Sequence, residues 1–144
     1  MNGVQLSLLV PSQGQAGFIK FSVVLRFGLT VSDAVIAAVR PGVRLADLTR
    51  IAYATIPDDE EPHMQTPSWF GHHIGLSAGD PALPDEPLAA GMVFTVEPWY
   101  YNHDLEIAVF VEDVVLVTDD GAEVLTRTLP RTPEEIERWM MENR

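Results

Sequence analysis

The chain has 144 residues and no cysteine, and it sets 9 Lys and Arg against 21 Asp and Glu for a formal charge of -12. Without thiols, disulfide frameworks, thiolate metal sites and cysteine nucleophiles are excluded, so any metal must be held by His, Asp or Glu. Scattered, scarce cations argue against nucleic acid. A start without a basic region and no apolar run of membrane-spanning length give the expectation of a single, soluble, cytoplasmic domain over residues 1–144 with no membrane partner.

Residues 4–27 run apolar or alternate around a polar turn at 12–15 that includes Gly14, with Gly17 close after it. This predicts a hairpin with strands over 4–10 and 18–27. Ser32 and Asp33 are candidate caps for a short helix over 34–40, ended by Pro41-Gly42. A second helix is predicted over 45–54, with Leu45, Leu48 and Ala52 on one face. The acidic segment from Pro57 to Pro62 must be a solvated loop, running on to about Pro67.

From Trp69 onward the pattern is mostly strands: 72–77, 92–96, 106–118, and a short one over 123–126 after the Asp119-Asp120-Gly121 turn. Thr132-Pro133-Glu134-Glu135 carries a capping box with Pro at the first helical position. It predicts a terminal helix with Ile136, Trp139 and Met140 on its apolar side. The fold class is therefore α+β, a curved antiparallel sheet backed by helices.

Three ionisable residues stand out because they interrupt apolar, strand-like runs: His72 in Gly71-His72-His73-Ile74-Gly75-Leu76, Glu97 in Phe94-Thr95-Val96-Glu97-Pro98, and Glu112 in Val111-Glu112-Asp113-Val114-Val115. An ionised Glu in such surroundings loses several kcal/mol of hydration (order of magnitude) unless a cation or a set of donors replaces the water. A divalent metal is one replacement. Two Glu side by side without one would push one carboxyl's pKa up. His73 reads as a packed side chain. Trp69, Trp99, Tyr100 and Tyr101 either line a groove or cap a core, and His63 and His103 carry no signal.

These blocks, taken in order, resemble the C-terminal part of the pita-bread metallopeptidases, the family of methionine aminopeptidases, Xaa-Pro aminopeptidases and dipeptidases, and creatinase. Arg40-Pro41-Gly42-Val43 resembles the turn between two of its helices. Gly71 to Leu76 resembles its histidine strand, Gly91 to Pro98 its first glutamate strand, and Val111 to Thr118 its last. The resemblance implies a pair of metal ions held by two Asp from a hairpin, one His and two Glu, and it carries the last three onto His72, Glu97 and Glu112. By alignment on Gly17-Phe18 the hairpin positions fall at Val10 and Phe21, and a further family His aligns with Gly79. The segment between Phe27 and Arg40 looks too short for the family's long helix, and Trp99 stands where a Gly usually follows the Pro, narrowing the pocket.

Two carboxylates and a neutral imidazole balance one divalent ion and leave a second uncompensated. The resemblance therefore implies a reduced Xaa-Pro dipeptidase or aminopeptidase-like domain holding one ion (Mn, Fe, Co or Zn) or none. His72 and Glu97 would be its catalytic residues, with Glu97 as the proton shuttle, and hydrolysis of peptide N-termini would be weak or absent. The alternative is a non-catalytic module that binds a peptide or a partner protein. A chain of about half the parent fold should leave an apolar sheet face open, which predicts a homodimer.

Overall fold

The computed structural model describes residues 14–64, 71–77, 80 and 84–143, and its first element is a single helix, α1 (Gly14–Ala38). Phe21, Val24, Gly28, Val31 and Val35 recur at three- and four-residue spacing and are buried, so the segment follows the 3.6-residue period and not the two-residue one. The expected strand over 18–27 and the expected short helix over 34–40 are both replaced by α1. The partner strand over 4–10 lies outside the described residues. Ile19 and Val23 are apolar yet exposed, and apolar residues on more than one side of the helix blur the period that would have revealed it.

The long helix that looked too short to exist is thus present. Ser32, read as a cap, faces inward from its middle. The stretch Ile19–Ala38 is long and apolar enough by length and composition to cross a bilayer, against the expectation from sequence, but here its inner side packs on the rest of the domain as a core helix does.

Gly42, at φ +87°, turns the chain after α1, a backbone state that suits glycine because it has no Cβ. Helix α2 (Leu45–Ala54) then forms as its pattern predicts, burying Leu45, Leu48 and Ala52. Asp47 accepts a hydrogen bond from the Arg44 backbone N–H at 3.2 Å, and that bond holds its carboxyl below the usual range. A short 3-10 turn, Glu61–His63, follows.

Among the described residues, five strands form two antiparallel units. The order β1-β4-β5 joins β1 (Val93–Val96), β4 (Asp113–Val117) and β5 (Ala122–Val124), while β2 (Trp99–Asn102) pairs with β3 (Ile107–Phe110). An isolated bridge between His73 and Phe94 adds the 72–74 segment on the free side of β1. The long strand expected over 106–118 is broken at Val111-Glu112, and Glu106 sits in a turn at φ 52°.

The break is matched on the other side by Glu97-Pro98. Val96 pairs with Asp113 and Trp99 with Phe110, so one register runs through the gap and sets Glu97 directly opposite Glu112. Both carboxylates occupy the corner where the ribbon passes from one sheet to the other.

Helix α1 packs against α2, β1, β2 and β3 over a core that includes Leu25, Leu45, Leu48, Phe94, Ile107 and Val115. A polar cluster pins the start of β4 to it. Asp113, buried, accepts from Ser32 at 3.0 Å, Thr126 at 3.1 Å and Arg131 at 2.7 Å, and Arg131 also pairs with Asp33 at 2.9 Å. Helix α3 (Pro133–Glu142) opens with the expected capping box, Thr132 Oγ1 accepting from the Glu135 N–H and Glu135 from the Thr132 N–H. Only Ile136 and Pro133 of this helix are buried. Trp139 (55% exposed) and Met140 (51%) are not the core face expected of them.

Candidate metal centre

His72 reaches the corner because its strand segment lies unusually close to β1. Thr95 N–H donates to the His72 carbonyl at 2.9 Å, and His72 N–H donates to Thr95 Oγ1 at 2.9 Å. A Cβ on Gly71 would collide with the Thr95 carbonyl oxygen and stand 2.6 Å from its Oγ1. Glycine at 71 is what permits this approach.

The imidazole is held in one tautomer. Its Nδ1 lies 2.8 Å from the His73 carbonyl oxygen, and a carbonyl can only accept, so Nδ1 carries the proton and Nε2 presents a lone pair when the ring is neutral. That bare Nε2 faces Glu97 Oε1 at 3.7 Å. Two electron-rich atoms this close repel unless a proton or a metal ion lies between them, and ligands about 2.1 Å from a common ion can be separated by this distance. His73 itself packs edge-on against Phe94.

Glu97, only 7% exposed, is oriented at both oxygens. Thr95 Oγ1 donates to Oε1 at 2.9 Å and Trp99 Nε1 donates to Oε2 at 3.2 Å. Thr95 was not singled out from sequence, and Trp99 was read as an aromatic of a groove or core and as narrowing the pocket, not as a donor. The signal was present, because residues 95, 97 and 99 alternate with the period of a strand and share a face. Opposite them, burial and the Glu97 charge push the Glu112 carboxyl above its ordinary value, Asp113 adds to this, and His72 opposes it.

The structure therefore brings His72 and Glu97 into contact and sets Glu112 across the register. Among the described residues no group of three His, Asp or Glu side chains comes close enough to hold a metal ion. The donor types are those a divalent cation takes, and His72, Glu97 and Glu112 are the residues that would have to converge to hold one.

The other three inferred positions fare differently. Phe21, placed on the Asp hairpin by alignment, is 4% exposed in the middle of α1; a helical core residue is not a hairpin position, so its reading as a replaced ligand is withdrawn. Val10 and Gly79 lie outside the described residues, as does Trp69. Tyr100 is buried, whereas Trp99 and Tyr101 are exposed. His63, which carried no signal, joins a polar chain: the Leu105 N–H fixes Asn102 Oδ1 at 2.9 Å, turning Nδ2 to His63 Nε2 at 3.1 Å and to Tyr100 Oη at 3.2 Å, and Tyr100 donates to Glu60 at 2.7 Å.

A helix followed by a paired ribbon with an imidazole and two glutamates at its corner is an arrangement that fits a metallopeptidase-type domain. The chain belongs to metallopeptidase family M24, whose model matches residues 18–119. It is 40% identical over 85 residues to Xaa-Pro aminopeptidase 1 of Streptomyces coelicolor, covering 49% of this chain and 17% of that protein. Its structure is similar to dipeptidase PepE from Mycobacterium ulcerans (TM-score 0.65, 29% identity, 83% of this chain and 31% of that one). The prolidase from Pyrococcus furiosus gives a TM-score of 0.68 at 26% identity, over 85% of this chain and 36% of that one. The chain thus spans about a third or less of the length of these relatives.

Proposed function

We propose that this chain is an Xaa-Pro aminopeptidase or dipeptidase-like domain that takes peptide N-termini and holds at most one divalent ion on His72, Glu97 and Glu112. The observation that carries this is His72 Nε2 facing Glu97 Oε1 at 3.7 Å, with Glu112 opposite in register. A bound divalent ion supplies Lewis acidity and lowers the pKa of a coordinated water. The chain's own contribution is orientation: Thr95 and Trp99 fix the Glu97 carboxylate, the group placed to hold a proton, and the paired carboxylates attract a peptide ammonium.

With only these three ligand candidates, hydrolysis by this chain alone is weak or absent. Elemental analysis of the purified chain, with release of N-terminal residues from a panel that includes Xaa-Pro peptides in Mn, Co or Zn, tests both parts. An ion at about one per chain with little or no turnover is expected. No bound metal after reconstitution leaves the non-catalytic alternative, and turnover at the rate of a complete peptidase removes the degenerate half of the proposal.

The alternative reading, a non-catalytic module that binds a peptide without cleaving it, shares the same site and predicts peptide binding with no turnover. Cytoplasmic residence and a homodimer belong to the same proposal. Exposed Trp99 and Tyr101 on one face of β2 favour self-association, and a monomer by light scattering at micromolar concentration would contradict it.

A further inference from the structure

The open face of the β2–β3 ribbon is aromatic, and it begins at the glutamate corner. Side chains alternate along both strands: Tyr100, Asn102, Ile107 and Val109 are buried, whereas Trp99 (44% exposed) and Tyr101 (41%) lie on the open side with their cross-strand partners Phe110 and Ala108. Trp99 meets Phe110 edge-on, with ring centroids 5.0 Å apart and planes at 72°, so the two rings brace each other as a wall. The Trp99 indole N–H reaches Glu97 Oε2 at 3.2 Å, which puts this wall on the same side of the ribbon as the carboxylate. Glu97 and Glu112 are the neighbouring rung of that face, two residues or about 6.8 Å along the strands.

An open apolar face that ends in two carboxylates fits an occupant that is aromatic at one end and cationic at the other. Among the described residues no Lys or Arg is ion-paired with Glu97 or Glu112, so a ligand's positive charge displaces no internal partner of that kind. We propose that this face holds the first residue of a peptide, with its α-ammonium at Glu97 and Glu112 and its aromatic side chain against Trp99 and Phe110. The two-residue step matches the reach of such a side chain from its own α-nitrogen. A glycine in first place meets the carboxylates without touching the rings, and an acylated terminus meets the rings without a charge. The proposal deepens the peptide-binding reading above by naming the class of the first residue, and it needs no metal ion.

The test is calorimetric titration of the full chain, in chelator, with three peptides: phenylalanyl-alanine amide, glycyl-alanine amide and N-acetyl-phenylalanyl-alanine amide. Self-association through Trp99 and Tyr101 would weaken all three alike, so the ratios between peptides carry the result. The first should bind about tenfold more tightly or better than either control, the effect of losing a hydrogen bond to a charged group or the burial of an aromatic ring. Glu112→Gln should shrink the advantage over the acetylated peptide, and Trp99→Leu the advantage over the glycyl one; should Trp99→Leu fail to fold, the wild-type ratios decide. An acetylated peptide within about twofold of the free amine overturns the ammonium anchor, and a glycyl peptide within about twofold overturns the aromatic wall. Either result removes the proposal while peptide binding stands. Binding of none of the three removes the proposal and the peptide-binding alternative together, and the metal analysis described above reads the ion independently of all these outcomes.

Discussion

Thr95 is the residue whose replacement reports most directly on how the corner is built. It is fully buried in β1, and its hydroxyl both accepts from the His72 backbone N–H and donates to Glu97 Oε1, each at 2.9 Å. Thr95→Val keeps the branched shape and strand preference, so the change isolates the hydroxyl. It orphans a backbone N–H, at about 1–3 kcal/mol, and removes a bond to a charged acceptor, at about 1.5–3 kcal/mol. The His72 segment is partly exposed, so water recovers some of the first loss. The expected net destabilisation is about 2–4 kcal/mol.

Urea unfolding of the metal-free protein, with an unchanged denaturant slope to show that the same surface is exposed, measures it. Thr95→Ser restores the hydroxyl and should regain most of the difference. A Thr95→Val protein as stable as the wild type would mean that the hydroxyl links nothing, and the account of how His72 and Glu97 are brought together would fail.

Three further outcomes follow from the same geometry. Gly71→Ala pushes a methyl into the Thr95 backbone oxygen, which cannot move without breaking β1 pairing, so about 2–3 kcal/mol should be lost; Gly75→Ala meets only the movable Asp80 carboxylate and should cost less than about 1 kcal/mol by the same urea assay. Glu112 has its folded pKa raised above the ordinary value, so the native state binds its proton more readily than the unfolded chain and loses stability as pH rises through the folded pKa. In chelator, Glu112→Gln should therefore be more stable than wild type at pH 7, with the gap closing as pH falls to the ordinary glutamate range; equal stability at pH 7 would show that Glu112 carries no penalty. Tyr100, pushed up to about 12 by burial and by its bond to Glu60, should ionise late in an absorbance titration. Stability then falls as pH rises from about 10 towards 12, and Tyr100→Phe should remove that late step.

The sequence was most legible where a local rule suffices. Leu45, Leu48 and Ala52 mark α2 because three- and four-residue spacing admits one reading, and Thr132 with Glu135 marks the start of α3 because a capping box is complete within four residues. It misled where the pattern admits two. The Val- and Phe-rich segment over 18–27 has strand composition, and Ile19 and Val23 on its open side hide the helical period, so a hairpin and a helix could not be told apart locally. Placing Phe21 on a ligand hairpin followed from that ambiguity and fell with it. Trp139 and Met140 failed for the opposite reason: their spacing is helical, but among the described residues no element covers them.

The amino-acid order by itself determined the donor types, one imidazole and two glutamates in apolar runs, in a chain without thiols. Only the tertiary structure decided their relation. The continuous register between the two sheets sets Glu97 against Glu112, the glycine at 71 lets His72 approach β1, and the His73 carbonyl selects the tautomer. The physical reason is distance along the chain: residues 72, 97 and 112 are neighbours solely through strand pairing. Pairing depends on backbone hydrogen bonds between separated segments, which no local pattern encodes.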